Sequence, residues 1–150
     1  MFAFVPKTWL VIAAIVLALA GLADSVYLTV HHFTAEPVPC SLIEGCEMVL
    51  TSKYAEFQGV PIALIGALGY FVAFSLALLT IYGYRLWLLF GVQTTIMAIV
   101  SGVLVYIQAS LIGAFCQFCL ISAATSLLLF LVFILSFVLQ KNSSTVETEA

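Results

Sequence analysis

The amino-acid sequence predicts an all-α membrane protein, a four-transmembrane-helix bundle whose outer loop contains a short amphipathic surface helix. Hydrophobic residues make up 65% of the 150 residues and charged residues only 7%, whereas a soluble domain carries about 25% charged residues. So little charge cannot hydrate a complete protein surface. Several apolar stretches also reach the length of about 20 residues that a helix needs to cross a bilayer.

The spans can be placed along a single domain that covers residues 1–150. The apolar stretch that begins at Leu86 is too long for one crossing, and Gln108, Ser110 and Gly113 interrupt it. The first span is expected to be retained rather than cleaved as a signal peptide, because its hydrophobicity continues past the small residues near Ala20. The predicted spans are about 9–30, 60–82, 86–112 and 115–139, with an outer loop over 33–59 and a polar tail over 141–150.

Basic residues predict the orientation of the bundle. Lys7, Arg85 and Lys141 all fall on the side that holds both termini and the connection between the second and third spans. Because cytoplasmic connections are enriched in Lys and Arg, we expect both termini in the cytoplasm and the outer loop on the periplasmic side. The net charge of −3 also argues against nucleic-acid binding, which requires a basic surface.

The outer loop has a pattern of its own. Pro37 and Pro39 stiffen the approach to Cys40, because proline fixes the backbone angle φ. Beyond Gly45, apolar residues recur at helical spacing and polar residues fill the opposite face. We therefore expect a short helix on the membrane surface. Its apolar positions would be Cys46, Val49, Leu50, Tyr54 and Phe57.

All four cysteines are predicted to lie on the outer side, where disulfides persist. Cys40 and Cys46 belong to the outer loop, and Cys116 and Cys119 form a Cys-x-x-Cys motif where the fourth span begins. Free N–H groups and the helix dipole stabilise a thiolate at a helix start. We expect Cys116 to be the more reactive and accessible thiol. Cys119 would lie about 4.5 Å deeper, where a lipid-soluble quinone can approach.

Three interpretations of these cysteines remain open from the residues alone. The first is a non-enzymatic membrane scaffold or maturation factor whose disulfides only brace its loops. The second is a zinc site with four sulfur ligands, for which the spacing of Cys40 and Cys46 is unfavourable. The third is a dithiol–disulfide relay, which a Cys-x-x-Cys within one helical turn favours.

The order of motifs along the chain resembles the vitamin K epoxide reductase family in its bacterial form. The resemblance covers nearly the whole chain, and the combination of motifs is more specific than Cys-x-x-Cys alone. The resembling segments are 23–29 in the first span, Cys40 with Gly45–Cys46, Gly59–Pro61, Gly66, Gly69–Tyr70 and Cys116–Cys119.

The resemblance implies an enzyme, a membrane oxidoreductase with a quinone bound inside its bundle. Thiols of a partner would attack the Cys40–Cys46 disulfide, and the freed Cys46 would form a transient bridge with Cys116. Cys119 would then pass electrons to menaquinone or ubiquinone. All four cysteines are therefore expected to be catalytic, and no metal is expected.

The resemblance also predicts the partner and the location. Bacterial relatives often carry a fused thioredoxin-like domain. Because this sequence ends at Ala150, we expect a separate periplasmic thioredoxin-fold (DsbA-like) protein. The location would be the bacterial cytoplasmic (inner) membrane. The unrelated DsbB-type quinone reductases place both cysteine pairs in periplasmic loops, so the position of this Cys-x-x-Cys disfavours them.

The quinone pocket is predicted to differ from that of animal members, which carry an Asn and a Tyr where this chain has Ile62 and Ala123. A plain quinone is therefore expected rather than an epoxide. Asp24 lies inside the first span, where a carboxylate is costly, so it is expected either to handle protons or to form interhelical hydrogen bonds. Further pocket candidates are Phe115, Phe118 and Met97, and the predicted close-contact points between helices are Gly66, Gly69, Ser101 and Gly102.

Overall fold

The computed structural model describes residues 6–42 and 45–148 and confirms the all-α membrane fold. Within these residues, four helices are long and apolar enough to cross a membrane. Their spanning parts are Thr8–Thr34, Ile62–Ile81, Trp87–Ile112 and Gln117–Lys141. The elements in chain order are α1 (Thr8–Thr34), α2 (Cys46–Leu50), β1 (Glu56–Phe57), β2 (Val60–Pro61), α3 (Ile62–Ile81), α4 (Trp87–Ile107) and α5 (Gln117–Thr148).

The third span ends in a π-helical turn, Gln108–Ile112, which continues α4. The turn closes with a hydrogen bond of 2.9 Å from the Gly113 N–H to the Gln108 carbonyl oxygen. Gly113 has a φ of 69°, in the left-handed region that glycine adopts without steric cost. The chain therefore reverses within the predicted break and enters α5 four residues later.

The first two spans differ from their predicted bounds for local reasons. α1 continues to Thr34 because neither proline nor glycine follows Gly21 within it, and it ends where Ala35 adopts a left-handed φ of 53°. The second span begins at Ile62, because Val60 and Pro61 pair antiparallel with Phe57 and Glu56 in a small hairpin.

The surface helix is shorter than the sequence pattern predicts. It ends at Leu50, because the Thr51 hydroxyl donates to the Glu47 carbonyl and the Ser52 hydroxyl donates to the Val49 carbonyl, each at 2.7 Å. Such side-chain bonds compete with a continuing helix. Tyr54 therefore lies in the following turn, and Phe57 lies in β1 with 63% of its side chain exposed.

The predicted polar tail is helical for most of its length. α5 runs through Thr148, so residues 141–148 form its last turns instead of a separate segment. Glu149 and Ala150 lie outside the described residues.

The four long helices pack in a closed ring in which neighbours run antiparallel. α1 contacts α3 and α5, and α4 contacts the same two helices from the other side. In the pair α4–α5, Ser101 contacts Ser126 near one end, and Trp87 contacts Ser136 near the other, each at 2.7 Å. One end of the bundle therefore carries Lys7, Arg85 and Lys141, and the opposite end carries Cys40, Cys46, Cys116 and Cys119.

A buried cluster fills the end of the bundle that lies away from the cysteines. Trp87 stacks on Phe90 with ring centroids 4.5 Å apart, and its indole N–H donates to the Ser136 hydroxyl. The indole is thus fully buried without an unpaired donor. The cluster consists of Val11, Ala14, Ala18, Tyr70, Ala73, Ala77, Trp87, Phe90 and Leu129.

A close contact between α1 and α3 lies at a glycine that was not among the predicted contact points. A Cβ atom on Gly21 would stand within van der Waals overlap of the Tyr70 ring, whereas one on Gly66 or Gly69 would make only ordinary contacts. A Cβ on Gly102 would meet nothing within 4 Å, so the predicted contact at Gly102 is wrong. Gly102 lies on the exposed face of α4.

The variant Gly21→Ala is expected to lower the stability of the bundle by about 1–3 kcal/mol through overpacking. The Tyr70 ring is 1% exposed and tied through its hydroxyl to the Ser122 carbonyl oxygen, so it cannot move aside easily. Thermal unfolding in detergent micelles, followed by circular dichroism, measures the loss. The matched variant Gly102→Ala should leave the midpoint unchanged or slightly higher, and equal losses in both variants would contradict the packing argument.

Candidate active site

The loop cysteines form a disulfide, Cys40–Cys46, with their Cα atoms 6.3 Å apart. Cys46 opens α2 and is 2% exposed, whereas Cys40 is only half-buried in the extended segment after Pro39. A protein approaching this end of the bundle therefore reaches the Cys40 sulfur more easily than that of Cys46.

Two contacts hold this loop against the connection between α4 and α5. A Cβ atom on Gly45 would lie 2.5 Å from the Phe115 carbonyl oxygen and 3.1 Å from the Ala114 Cβ, so the two backbones touch. In the second contact, the Leu42 N–H donates to the Gln117 side-chain oxygen at 3.1 Å. Gln117 is the first residue between the two cysteines of the motif, so the loop is fastened directly to the Cys-x-x-Cys segment.

The second cysteine pair lies under this loop. One buried cluster consists of Cys46, Val49 and Cys116. Two partly buried residues pack against it: Cys40, which belongs to the disulfide, and Cys119, which is a free thiol. Cys116 is 0% exposed, so the expectation that it is the more accessible thiol is wrong. The reason is that α2 places Cys46 and Val49 over the start of α5.

The environment of Cys116, which precedes the fourth span, favours its thiolate. A hydrogen bond from the Cys119 side chain lowers the pKa of Cys116 to about 7, although burial and the charge of Asp24 raise it. The Cys119 N–H also points at the Cys116 sulfur, at 3.4 Å. The Cys116 N–H itself donates to the Gln108 side-chain oxygen at 3.1 Å, which ties the motif to the π-helical turn. A large fraction of Cys116 is therefore reactive at neutral pH.

A cavity of about 260 Å³ opens between the helices beside Cys119. Its walls come from α1, α3, α4 and α5, with Val49 and Leu50 of α2 at its outer end, and they are mainly apolar. Its size is near the lower end of small-molecule pockets, roughly 300 Å³. Four of the predicted pocket residues line it: Cys119, Ile62, Ala123 and Met97.

The other two predicted pocket residues lie outside the cavity. The Phe118 ring packs against the Tyr27 ring of α1, with centroids 5.3 Å apart, and so does not line the cavity. Phe115 lies in the connection before α5 and is 39% exposed. Their positions next to the cysteines in sequence gave no information on side-chain direction.

Four hydroxyl-bearing side chains that were not predicted as pocket residues line the same cavity. The Tyr70 hydroxyl donates to the Ser122 carbonyl oxygen at 2.5 Å and lies 3.1 Å from the Ser122 hydroxyl. Ser126 lies 2.7 Å from Ser101 on α4. Polar residues inside apolar spans are a signal of function, but serine often bonds only to its own helix, so the pattern alone did not distinguish the two cases.

Asp24 lies half-buried on α1, and its Oδ2 has no hydrogen-bond partner among the residues described. The expected interhelical hydrogen bond is therefore not found for this oxygen. The neighbouring histidines are engaged elsewhere: the His31 ring contacts Tyr27 at 4.4 Å between centroids, and His32 contacts Glu56 at 2.9 Å. Over residues 6–42 and 45–148, no group of three or more His, Cys, Asp or Glu side chains is arranged to hold a metal ion.

The pKa of Cys116 can be tested with two variants that should shift it in opposite directions. Alkylation of Cys116 in the wild type should rise with pH through a midpoint of about 7, because the thiolate is the nucleophile. Cys119→Ala removes the hydrogen bond and should move the midpoint up, whereas Asp24→Asn removes a negative charge and should move it down. Mass spectrometry of the Cys116 peptide after iodoacetamide pulses gives the midpoints. An unchanged midpoint in Cys119→Ala would contradict this assignment.

Comparison with known protein families agrees with this geometry. The model of the vitamin K epoxide reductase family matches residues 12–134, which include α3, α4, most of α1, more than half of α5, the outer loop and every cysteine. The chain therefore belongs to the vitamin K epoxide reductase family, whose members are membrane oxidoreductases that act on thiols and disulfides.

Proposed function

We propose that the protein is a membrane thiol–quinone oxidoreductase that reoxidises a thioredoxin-like disulfide-forming partner. Electrons would pass from the partner through two cysteine pairs to a quinone. One observation carries the proposal: Cys46 of the loop shares a buried cluster with Cys116, while Cys119 lines an apolar cavity. The two pairs are thus in contact with each other, and they face different environments.

The first step is an exchange between the partner and the loop disulfide. A thiolate of the partner attacks the Cys40 sulfur, which is the more exposed of the two, and the Cys40–Cys46 bond breaks with Cys46 as the leaving thiolate. The second thiol of the partner then attacks the mixed disulfide. The partner leaves with a disulfide, and Cys40 and Cys46 remain as thiols, so two electrons and two protons have entered the protein.

The second step moves these electrons inward. The Cys46 thiolate attacks Cys116 of an oxidised Cys116–Cys119 pair, which forms a Cys46–Cys116 bridge and releases Cys119. Cys40 then attacks Cys46, which restores the loop disulfide and frees Cys116. The structure holds a Cys40–Cys46 disulfide and two thiols at Cys116 and Cys119, which is the distribution of electrons at the end of this step.

The last step oxidises the second pair at the cavity. The residues present suit a quinone, because the walls are mainly apolar and a reactive sulfur, Cys119, lies among them. A quinone bound there accepts two electrons and two protons and leaves as quinol. The chain contributes the two thiols: Cys116 and Cys119 close their disulfide and release the electrons and protons. We include Asp24 as a proton-handling or structural group, since its charge acts on Cys116 and its Oδ2 lacks a hydrogen bond.

We also propose the orientation and the partner. Lys7, Arg85 and Lys141 lie at the end of the bundle opposite the cysteines, which supports a cytoplasmic location for that end and for both termini. The cysteines would then face the periplasm of a bacterial cytoplasmic membrane. A thioredoxin-fold (DsbA-like) protein is the proposed electron donor, because such proteins present one thiolate at an exposed edge and suit the exposed Cys40.

The variant Cys119→Ala should abolish quinol formation and leave the earlier exchange intact. Purified protein is given a reduced thioredoxin-fold donor and a short-chain quinone, and quinol is followed by its absorbance. The double variant Cys40→Ala/Cys119→Ala, which lacks both thiols that could break the bridge, should accumulate a Cys46–Cys116 bridge when its Cys116 is first activated as a mixed disulfide with a small aromatic thiol. Full turnover by Cys119→Ala would defeat the proposed relay. A wild type that forms no quinol and whose cysteines do not change redox state would instead support a scaffold.

The variant Gly45→Ala should slow the exchange between the two pairs. A methyl group there collides with the Phe115 backbone, so the loop must lift and carry Cys46 away from Cys116. We expect the rate of Cys46–Cys116 bridge formation to fall by about tenfold or more, since misplacement of reacting atoms by about 1 Å can cost 100-fold. Rapid acid quenching and thiol labelling measure the rate.

The control for this experiment is Gly102→Ala, at an open position on α4. It should exchange at the wild-type rate. Oxidation of the donor by the loop disulfide alone should also remain near the wild-type rate in Gly45→Ala, because Cys40 stays exposed. Equal exchange rates in Gly45→Ala and the wild type would show that the close backbone contact is not needed.

A further inference from the structure

Four hydroxyl groups stand together on the α3, α4 and α5 walls of the mainly apolar cavity. Tyr70 of α3, Ser101 of α4 and Ser122 and Ser126 of α5 all line it. Tyr70 and Ser126 are each 1% exposed. Burying a hydroxyl is unfavourable unless it finds a hydrogen-bond partner, so each of these hydroxyls is expected to have an acceptor.

Three of the four protons have fixed acceptors. The Tyr70 hydroxyl donates to the Ser122 carbonyl oxygen at 2.5 Å. The Ser126 hydroxyl donates to the same oxygen at 2.9 Å, with the Ala123 carbonyl oxygen at 3.3 Å as its second acceptor. When the Ser126 proton is used on the main chain, Ser101 is the donor in its 2.7 Å contact with Ser126.

The Ser122 hydroxyl is different. Among the described residues its contact is the Tyr70 oxygen at 3.1 Å, and a rotation about its Cβ–Oγ bond can turn the proton into the cavity. Ser122 lies three residues after Cys119, so both side chains occupy the same face of α5, one turn apart. Two hydrogen bonds to its own carbonyl oxygen, from Tyr70 and Ser126, hold the backbone at this point.

We infer that the Ser122 hydroxyl donates a hydrogen bond to a carbonyl oxygen of the quinone, and that Tyr70, Ser126 and Ser101 are positioning residues for it. The inference rests on the proposed function. Ile62 and Ala123 also line the cavity, but neither side chain has a hydrogen-bond donor. A fixed donor of this kind gains strength as negative charge collects on the carbonyl oxygen, and electrons arrive there from Cys119 one turn away.

Two substitutions that match each other in shape separate the hydroxyl from the volume of the side chain. Ser122→Thr keeps the hydroxyl and adds a methyl group, and Ser122→Val has the same shape as Thr with a methyl group in place of the hydroxyl. Equilibrium binding of a short-chain benzoquinone to each variant is measured in detergent. We expect Ser122→Val to bind about five- to tenfold more weakly, as the loss of one hydrogen bond implies. Ser122→Thr should bind within about twofold of the wild type.

The infrared carbonyl stretch of the bound benzoquinone gives a second readout. A hydrogen bond lowers this frequency, so the wild type and Ser122→Thr should show one shifted carbonyl band. In Ser122→Val that band should return toward the frequency of the quinone in detergent alone. Tyr70→Phe should broaden the band, because the Ser122 backbone loses a hydrogen bond that positions it.

The controls separate this inference from the proposed function and from misfolding. Ser75→Val alters a serine that bonds to the Phe71 carbonyl oxygen and does not line the cavity, and it should change neither readout. Exchange between the two cysteine pairs, measured without quinone, should be unchanged in all Ser122 variants. Equal affinities and identical carbonyl bands in Ser122→Val and the wild type would overturn the inference alone. Absence of benzoquinone binding by the wild type would overturn the proposed function and the inference with it.

Discussion

The site depends on the contact between the backbone of Gly45 and that of Phe115. This contact sets the depth of α2, and α2 in turn sets the position of Cys46 over the start of α5. A side chain at residue 45 would separate the two segments and expose Cys116 to water. The hydrogen bond between Leu42 and Gln117 holds a second point of the same loop. Two contacts therefore fasten the segment that joins the two cysteines of the disulfide.

The membrane explains why the irregular backbone gathers at the ends of the bundle. In lipid, every N–H and carbonyl group must find a partner within the protein, and the long helices satisfy theirs internally. The loop, the hairpin and the π-helical turn lie at one end, where side chains such as Gln108 and Gln117 provide the missing partners. The cysteine chemistry therefore occurs where hydrogen bonds can be rearranged without placing bare backbone in hydrocarbon.

How much could be predicted from sequence depends on how far apart in the chain the interacting residues lie. Hydropathy fixed the four spans within a few residues, and the spacing of Cys116 and Cys119 indicated the redox pair. The extent of α2 was missed, because Thr51 and Ser52 end it through local hydrogen bonds. The burial of Cys116, the packing of Phe118 on Tyr27 and the hydroxyl cluster around Tyr70 depend on contacts between distant segments, which no pattern along a single helix contains.

The burial of Cys116 has a consequence for selectivity. Small soluble thiols and oxidants from the surrounding solution can collide with Cys40, but α2 shields the sulfur of Cys116 completely. Such molecules reach Cys116 only when the loop lifts, so the rate at which they oxidise or reduce this thiol is limited by that opening. In the proposed relay, this covering of only five residues would insulate the path of the electrons and leave Cys40 as the point of entry.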